Sequence, residues 1–88
     1  MNESAQIQIQ LLEFLRREVF SAQAVISEDS DLIAFGFDSL SMVRLLQFIE
    51  ATYGLWIPEG EITEAAFKST RALAAVVVRL LDERQTPS

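Results

Sequence analysis

The 88-residue chain contains neither histidine nor cysteine. Without cysteine there is no disulfide framework, no thiolate metal site and no catalytic thiol. Without histidine the common zinc sites are excluded too. A serine here also lacks its usual base, which makes it a poor nucleophile because no neighbour takes its proton. Lys68 is the only lysine, so a serine–lysine hydrolase would need it beside the serine in space. No Asp-rich loop with the spacing of calcium or magnesium ligands occurs. No apolar run is long enough to span a bilayer, and Met1-Asn2-Glu3-Ser4 lacks the basic-then-apolar pattern of a secretory leader. No breaker-rich linker divides the chain.

What is present is half apolar residues and a net charge of -6. That apolar content favours a folded domain over disorder. The charge repels nucleic acid and suits partners that present Lys and Arg. The expectation is one cytoplasmic, free-standing, monomeric domain over residues 1–88, with a core of about 6–83 and flexible termini. No metal and no membrane insertion are expected.

The periodicity predicts helices. Ile7, Leu11, Phe14, Leu15 and Val19 recur at steps of three and four over Ser4 to Phe20, with Leu12 widening the stripe and Ser4 as N-cap. Gln8, Gln10, Glu13, Arg16 and Arg17 fall on other faces. From Ser21 to Phe37 no period is sustained, and a loop this long needs its own apolar anchors, here Val25, Ile26, Leu32 and Phe35. Leu32 to Phe35 reads as a short turn ended by Gly36. A second helix spans Ser39 to about Tyr53, capped by Asp38 and stopped by Gly54. Its larger stripe, Met42, Leu45, Ile49 and Tyr53 with Leu46 and Phe48, faces the core, while Leu40, Val43 and Gln47 form a second stripe free for a partner.

Leu55 to Pro58 reads as an extended link, with Trp56 either a recognition aromatic or, as is commoner after a helix end, packed on the core. Glu59 to Phe67 has enough apolar residues for one or two helical turns. A last helix runs from Thr70 to about Glu83, capped by Ser69, with the stripe Leu73, Val76, Val77, Leu80 and Leu81. The run Val76-Val77-Val78 suits a strand, but Ala72, Ala74, Ala75 and the cap favour helix. Gln85 to Ser88 reads as a frayed tail. The sum is an all-α, small four-helix bundle with a long loop between its first and second helices and a short third helix.

The stretch Gly36-Phe37-Asp38-Ser39-Leu40 is the chemical centre of this pattern. Ser39 would sit at the positive end of the second helix, where free amides and the dipole favour an attached phosphate. Asp38 would help orient a metal ion or phosphate donor on a modifying enzyme, and Leu40 and Val43 would give that enzyme an apolar grip. Asp-Ser ahead of an apolar run is by itself ordinary capping. The context is more specific. Asp31-Leu32, then Phe35-Gly36-Phe37-Asp38-Ser39-Leu40, Val43, Tyr53-Gly54, Ile57-Pro58, Ile62, Phe67, Ser69 and Leu73 are in an order and spacing that resemble the acyl and peptidyl carrier protein family, from about Gln6 to Glu83.

The resemblance implies a four-helix carrier-protein bundle without catalytic residues. It implies that a phosphopantetheinyl transferase attaches 4'-phosphopantetheine from coenzyme A to Ser39, and that the arm's thiol carries acyl, aminoacyl or malonyl-type groups as thioesters. The missing thiol would thus come from the prosthetic group. Carriers of fatty-acid synthesis resemble one another in an acidic second helix, whereas here that helix has Ser41, Arg44 and Ala51 at positions those carriers fill with acidic residues. Docking is therefore expected to depend on Leu40, Val43, Gln47 and Phe48 more than on charge. Arg44 is either a recognition residue or an ordinary solvated one. This departure favours a specialised polyketide or nonribosomal peptide pathway. A D-alanyl or aminoacyl carrier loaded by an adenylating ligase is the next reading, followed by a fatty-acid carrier. Downstream synthases, transferases or tailoring enzymes would take the cargo. An unmodified helical adaptor that displays the Leu40/Val43 stripe is the alternative of a different class.

Overall fold

The computed structural model describes residues 3–20 and 25–85. Among these, three α-helices are the main elements and no strand occurs: α1 (Glu3–Phe14), α2 (Ser39–Tyr53) and α3 (Thr70–Gln85). No helix among the described residues is long and apolar enough to cross a membrane. Residues 1–2, 21–24 and 86–88 lie outside the description, and with them part of the expected first loop and tail. Gln85 itself belongs to α3 rather than to a frayed end.

Ile7, Leu11, Leu12, Phe14 and Leu15 are buried, as their spacing predicts, and α1 packs on α3 through Leu73, Val77, Leu80 and Leu81. Two details of α1 differ from expectation. Ser4 lies inside the first turn instead of capping it, and its Oγ accepts a hydrogen bond from Gln8 Nε2 at 3.2 Å. Gln8 is therefore buried, because a local partner satisfies its amide. Beyond Phe14 the helix widens into a single π-turn, Leu15–Val19, closed by Phe20 N–H donating to Leu15 O at 2.7 Å.

α2 presents Leu45, Leu46 and Ile49 to the core. Phe48 stacks on Phe14 with ring centroids 4.4 Å apart, and the Tyr53 hydroxyl donates to Gln10 Oε1. Gly54 stops the helix in the left-handed region at φ 63°, which a glycine adopts without a Cβ penalty.

The long loop is held from the α3 side. The Glu28 carbonyl accepts from Arg71 N–H at 3.0 Å and from Thr70 Oγ1 at 3.2 Å, and Arg71 grips both Asp29 oxygens at 2.6 and 3.1 Å. Leu32 N–H donates to Lys68 O at 2.8 Å. Of the four expected anchors, Ile26 and Leu32 are buried, but Val25 is 88% and Phe35 45% exposed. The missing anchor is Phe37. Gly36 (φ 98°) ends the Leu32–Gly36 turn with two bonds, Phe37 N–H to Leu32 O and Gly36 N–H to Ile33 O, each 3.0 Å. That arrangement puts the residue after the glycine against the start of the turn, so Phe37 packs with Leu32 and leaves Phe35 outside.

The short third helix is replaced by two separate turns. Glu59–Glu61 form a 3-10 turn after Pro58. A single turn follows in which Thr63 Oγ1 accepts from Ala66 N–H at 3.1 Å and Phe67 N–H donates to Thr63 O at 3.2 Å. The chain leaves helical geometry at Ile62 (φ -85°, ψ 83°) and is capped anew at Thr63, which interrupts what composition alone would join. Ala66 and Phe67 are nevertheless buried. Trp56 is 57% exposed while Leu55 and Ile57 on either side are buried, because an extended segment alternates its faces and Trp56 takes the outer one. Ser69 caps α3 through Ala72 N–H at 3.1 Å.

Candidate functional site

The Gly36 turn delivers the chain to the start of α2. Asp38 is its N-cap: Oδ1 accepts from Ser41 N–H and from Ser41 Oγ–H, both at 2.9 Å. These two donors, the backbone amide foremost, hold the Asp38 carboxyl below the usual carboxylate range although the residue is exposed. The cap separates two serines that look alike in sequence. Ser41 is tied into it. Ser39, the first residue of α2, is exposed, and among the described residues no side chain engages its hydroxyl. Its amide belongs to the first turn of the helix, whose N–H groups have no intrahelical acceptor, and the Leu40 amide, like that of Ser41, is directed at the Asp38 carboxylate.

Leu40 is 68% exposed and Val43 49% exposed, and Gln47 continues the same outward stripe. Arg44 is less free than its neighbours. Its guanidinium lies 3.7 Å from Glu18, which also pairs with Arg17 at 3.2 Å. The pair joins α2 to the π-turn after α1 and, being solvent-exposed, is worth about 0–1 kcal/mol.

A surface cleft of about 390 Å³ borders Ser39. Ile33, Phe37, Met42 and Ile62 give it apolar walls, and Thr63 and Glu64 stand at its far side. Ile33, Ile62, Thr63 and Glu64 are absent from the sequence-based site. Their turns carry no periodicity, and only the Gly36-Phe37 pairing hints that one side of the cleft is built there. Lys68 does not line this cleft, and no hydrogen bond joins it to Ser39 among the described residues.

The family model for the phosphopantetheine attachment site matches residues 9–77, more than three quarters of the chain. The chain belongs to the phosphopantetheine carrier family. Aminoacyl carrier protein 2 of Bradyrhizobium diazoefficiens is 29% identical to this carrier over 83 residues, covering 91% of this chain and 92% of that protein. Two crystal structures of the Bradyrhizobium japonicum glycine:[carrier protein] ligase contain a similar chain. In the complex with glycylated carrier protein the match has a TM-score of 0.67 at 25% identity, over 85% of this chain and 99% of that one. In the complex with cognate carrier protein and an analogue of glycyl adenylate it has a TM-score of 0.70 at 26% identity, over 89% and 99%. Since 99% of the matched chain is covered by so short a sequence, that component is the carrier rather than the ligase.

Membership in the family brings covalent 4'-phosphopantetheine. The residues around Ser39 fit such a group. An exposed hydroxyl offers a point for esterification, the first-turn amides of α2 suit a phosphodiester, and the adjoining apolar cleft suits an arm of methyl, methylene and amide groups. Once attached, the arm supplies a terminal thiol that carries cargo as a thioester.

Proposed function

We propose that Ser39 is the attachment site and that this chain is an aminoacyl carrier. In this reading, the Ser39 hydroxyl oxygen bonds to the phosphorus of coenzyme A that bears the pantetheine arm. Adenosine 3',5'-bisphosphate leaves, and the hydroxyl proton passes to a base on the phosphopantetheinyl transferase. The observation that carries the assignment is the contrast between the free Ser39 hydroxyl and the Ser41 hydroxyl held by Asp38.

The chain's own part is positional. Asp38 fixes the first turn of α2 and keeps Ser39 outermost. Leu40, Val43 and Gln47 offer the apolar face on which the transferase, a loading ligase and later synthase, transferase or tailoring enzymes would sit. Segment 59–67 stands in for the short helix of a four-helix carrier. Residues 1–88 act as one domain in the cytoplasm and catalyse nothing themselves.

The relatives favour an aminoacyl cargo over the polyketide or nonribosomal peptide pathway that the sequence put first. One is an aminoacyl carrier protein, and the others are crystallised with a glycine ligase. The test is loading of the holo-protein by adenylating ligases offered single amino acids, followed by intact mass. An aminoacyl thioester sensitive to hydroxylamine is expected. Transfer of malonyl or long acyl groups alone, with no amino acid accepted from a panel of ligases, would overturn the aminoacyl assignment.

A further inference from the structure

The loop that leads to Ser39 lands, point by point, on one short segment, 67–71, at the start of α3. The Glu28 carbonyl accepts twice, from the Thr70 hydroxyl at 3.2 Å and from the Arg71 amide at 3.0 Å. The Arg71 guanidinium holds both Asp29 oxygens. Leu32 N–H donates to Lys68 O, and the Phe37 ring stacks on Phe67 with centroids 6.2 Å apart. Only Asp38 separates Phe37 from Ser39. Arg16 of α1 donates to Ile26 O at 2.5 Å, which fixes where the loop enters rather than where it delivers the chain.

Thr70 is the least expected member of this clasp. It is a polar side chain with no exposed surface. Away from water its hydroxyl needs an acceptor, and the Glu28 carbonyl supplies one. The first turn of α3 already has its cap in Ser69, so the helix does not need the Thr70 hydroxyl. What the hydroxyl adds is a tie to the loop. Water competes less for this bond than for the exposed Arg71–Asp29 pair. Little slack remains between the clasp and Ser39. The Leu32 carbonyl accepts from the amides of Phe35 and Phe37 at 3.1 and 3.0 Å, so the Gly36 turn is built on a residue that Lys68 holds.

We propose that Thr70, supported by Arg71, is a positioning residue for the modification of Ser39, acting through the loop without touching the serine. The inference rests on Ser39 as the attachment point. With the clasp closed, the loop presents the serine in one place. With it loosened, a transferase has to order the loop as it docks, and that cost weakens binding without changing the chemical step.

The test uses the full-length apo-protein, coenzyme A and a broad-specificity phosphopantetheinyl transferase, with initial rates measured over a range of carrier concentrations. Thr70→Val keeps the shape of the side chain and removes the hydroxyl. It should raise KM for the carrier about two- to tenfold, the range one hydrogen bond allows, with kcat unchanged. Amide hydrogen exchange at Leu32 and Phe37 should quicken in the same variant. Thr70→Ser, which keeps the hydroxyl, should restore both readings. Arg71→Gln, an exposed change that bears the test if Thr70→Val does not fold, should raise KM in the same direction. Leu80→Ala lowers overall stability away from the clasp and should leave KM at the wild-type value. An unchanged KM in folded Thr70→Val and Arg71→Gln, or an equal rise in Leu80→Ala, would overturn the proposal while leaving Ser39 in place. Failure of the wild type to gain the arm, seen by mass before any rate is measured, would overturn the Ser39 assignment and this proposal with it.

Discussion

The two faces of α2 follow different rules. One face, Leu45, Leu46 and Ile49, is buried in the core. The other, Leu40, Val43 and Gln47, is turned to solvent although two of its three residues are apolar. A helix this short needs only one apolar stripe to be held in a bundle. The second stripe costs solubility and contributes nothing to packing, which is the economy expected of a surface meant for successive partners. The contrast extends to the serines at its start, one committed to the cap and one left free.

Truncation of the inner face should have the largest structural effect. Leu45→Ala or Ile49→Ala should lower stability by about 2–5 kcal/mol in a denaturant titration, since each opens a cavity in a fully packed site. Val43→Ala and Gln47→Ala should stay within ~0.5 kcal/mol of wild type while weakening loading by a partner ligase. Large stability losses on the outer face would remove the distinction between the two.

The cap is next. Asp38→Ala should cost about 0.5–2 kcal/mol, whereas Asp38→Asn should cost little because asparagine caps as well as aspartate. If Asp38→Asn folds normally but resists modification, the carboxylate serves the transferase as well as the helix. Asp38 also gives an acid signature. Its carboxyl titrates lower in the folded protein, so its contribution is present above the unfolded value of about 3.9 and disappears as pH falls through the folded one. Asp29, held down by Arg71, adds to the same acid limb.

The opposite end of α2 gives an alkaline signature. Burial pushes the Tyr53 phenol up to about 12. The folded state therefore keeps a proton that the unfolded chain gives up near pH 10. Stability should fall as pH rises from about 10 through 12, and Tyr53→Phe should remove that fall. An ultraviolet titration of the phenolate checks the shift directly. The smallest effect belongs to Arg44→Ala, which should change stability by less than ~1 kcal/mol because the Glu18 pair is exposed.

The sequence was most informative where periodicity and caps agree. The bounds of α2, the Asp38 cap, the Gly54 stop, the Ser69 cap and the inner stripes of all three helices follow from spacing alone. The resemblance in turn pointed to the family that the comparisons establish. Most of the misreadings sit in segments without a period. Phe35 and Phe37 are equally apolar, and only the two-bond closure at Gly36 decides which one is buried. Composition filled 59–67 with a helix because it counts apolar residues, not the break at Ile62 or the new cap at Thr63. Gln8 is buried through a bond to Ser4 that polarity scales ignore. The place of Ser39 at the exposed start of α2 was legible. The groove beside it was not, since its walls come from two turns about thirty positions apart.

The most direct measurement is intact mass after incubation with coenzyme A and a broad-specificity phosphopantetheinyl transferase, for wild type, Ser39→Ala and Ser41→Ala. The account predicts a gain of one phosphopantetheine in wild type and Ser41→Ala and none in Ser39→Ala, with all three folded by circular dichroism. A gain in Ser39→Ala, or none in folded wild type with several transferases, would contradict it.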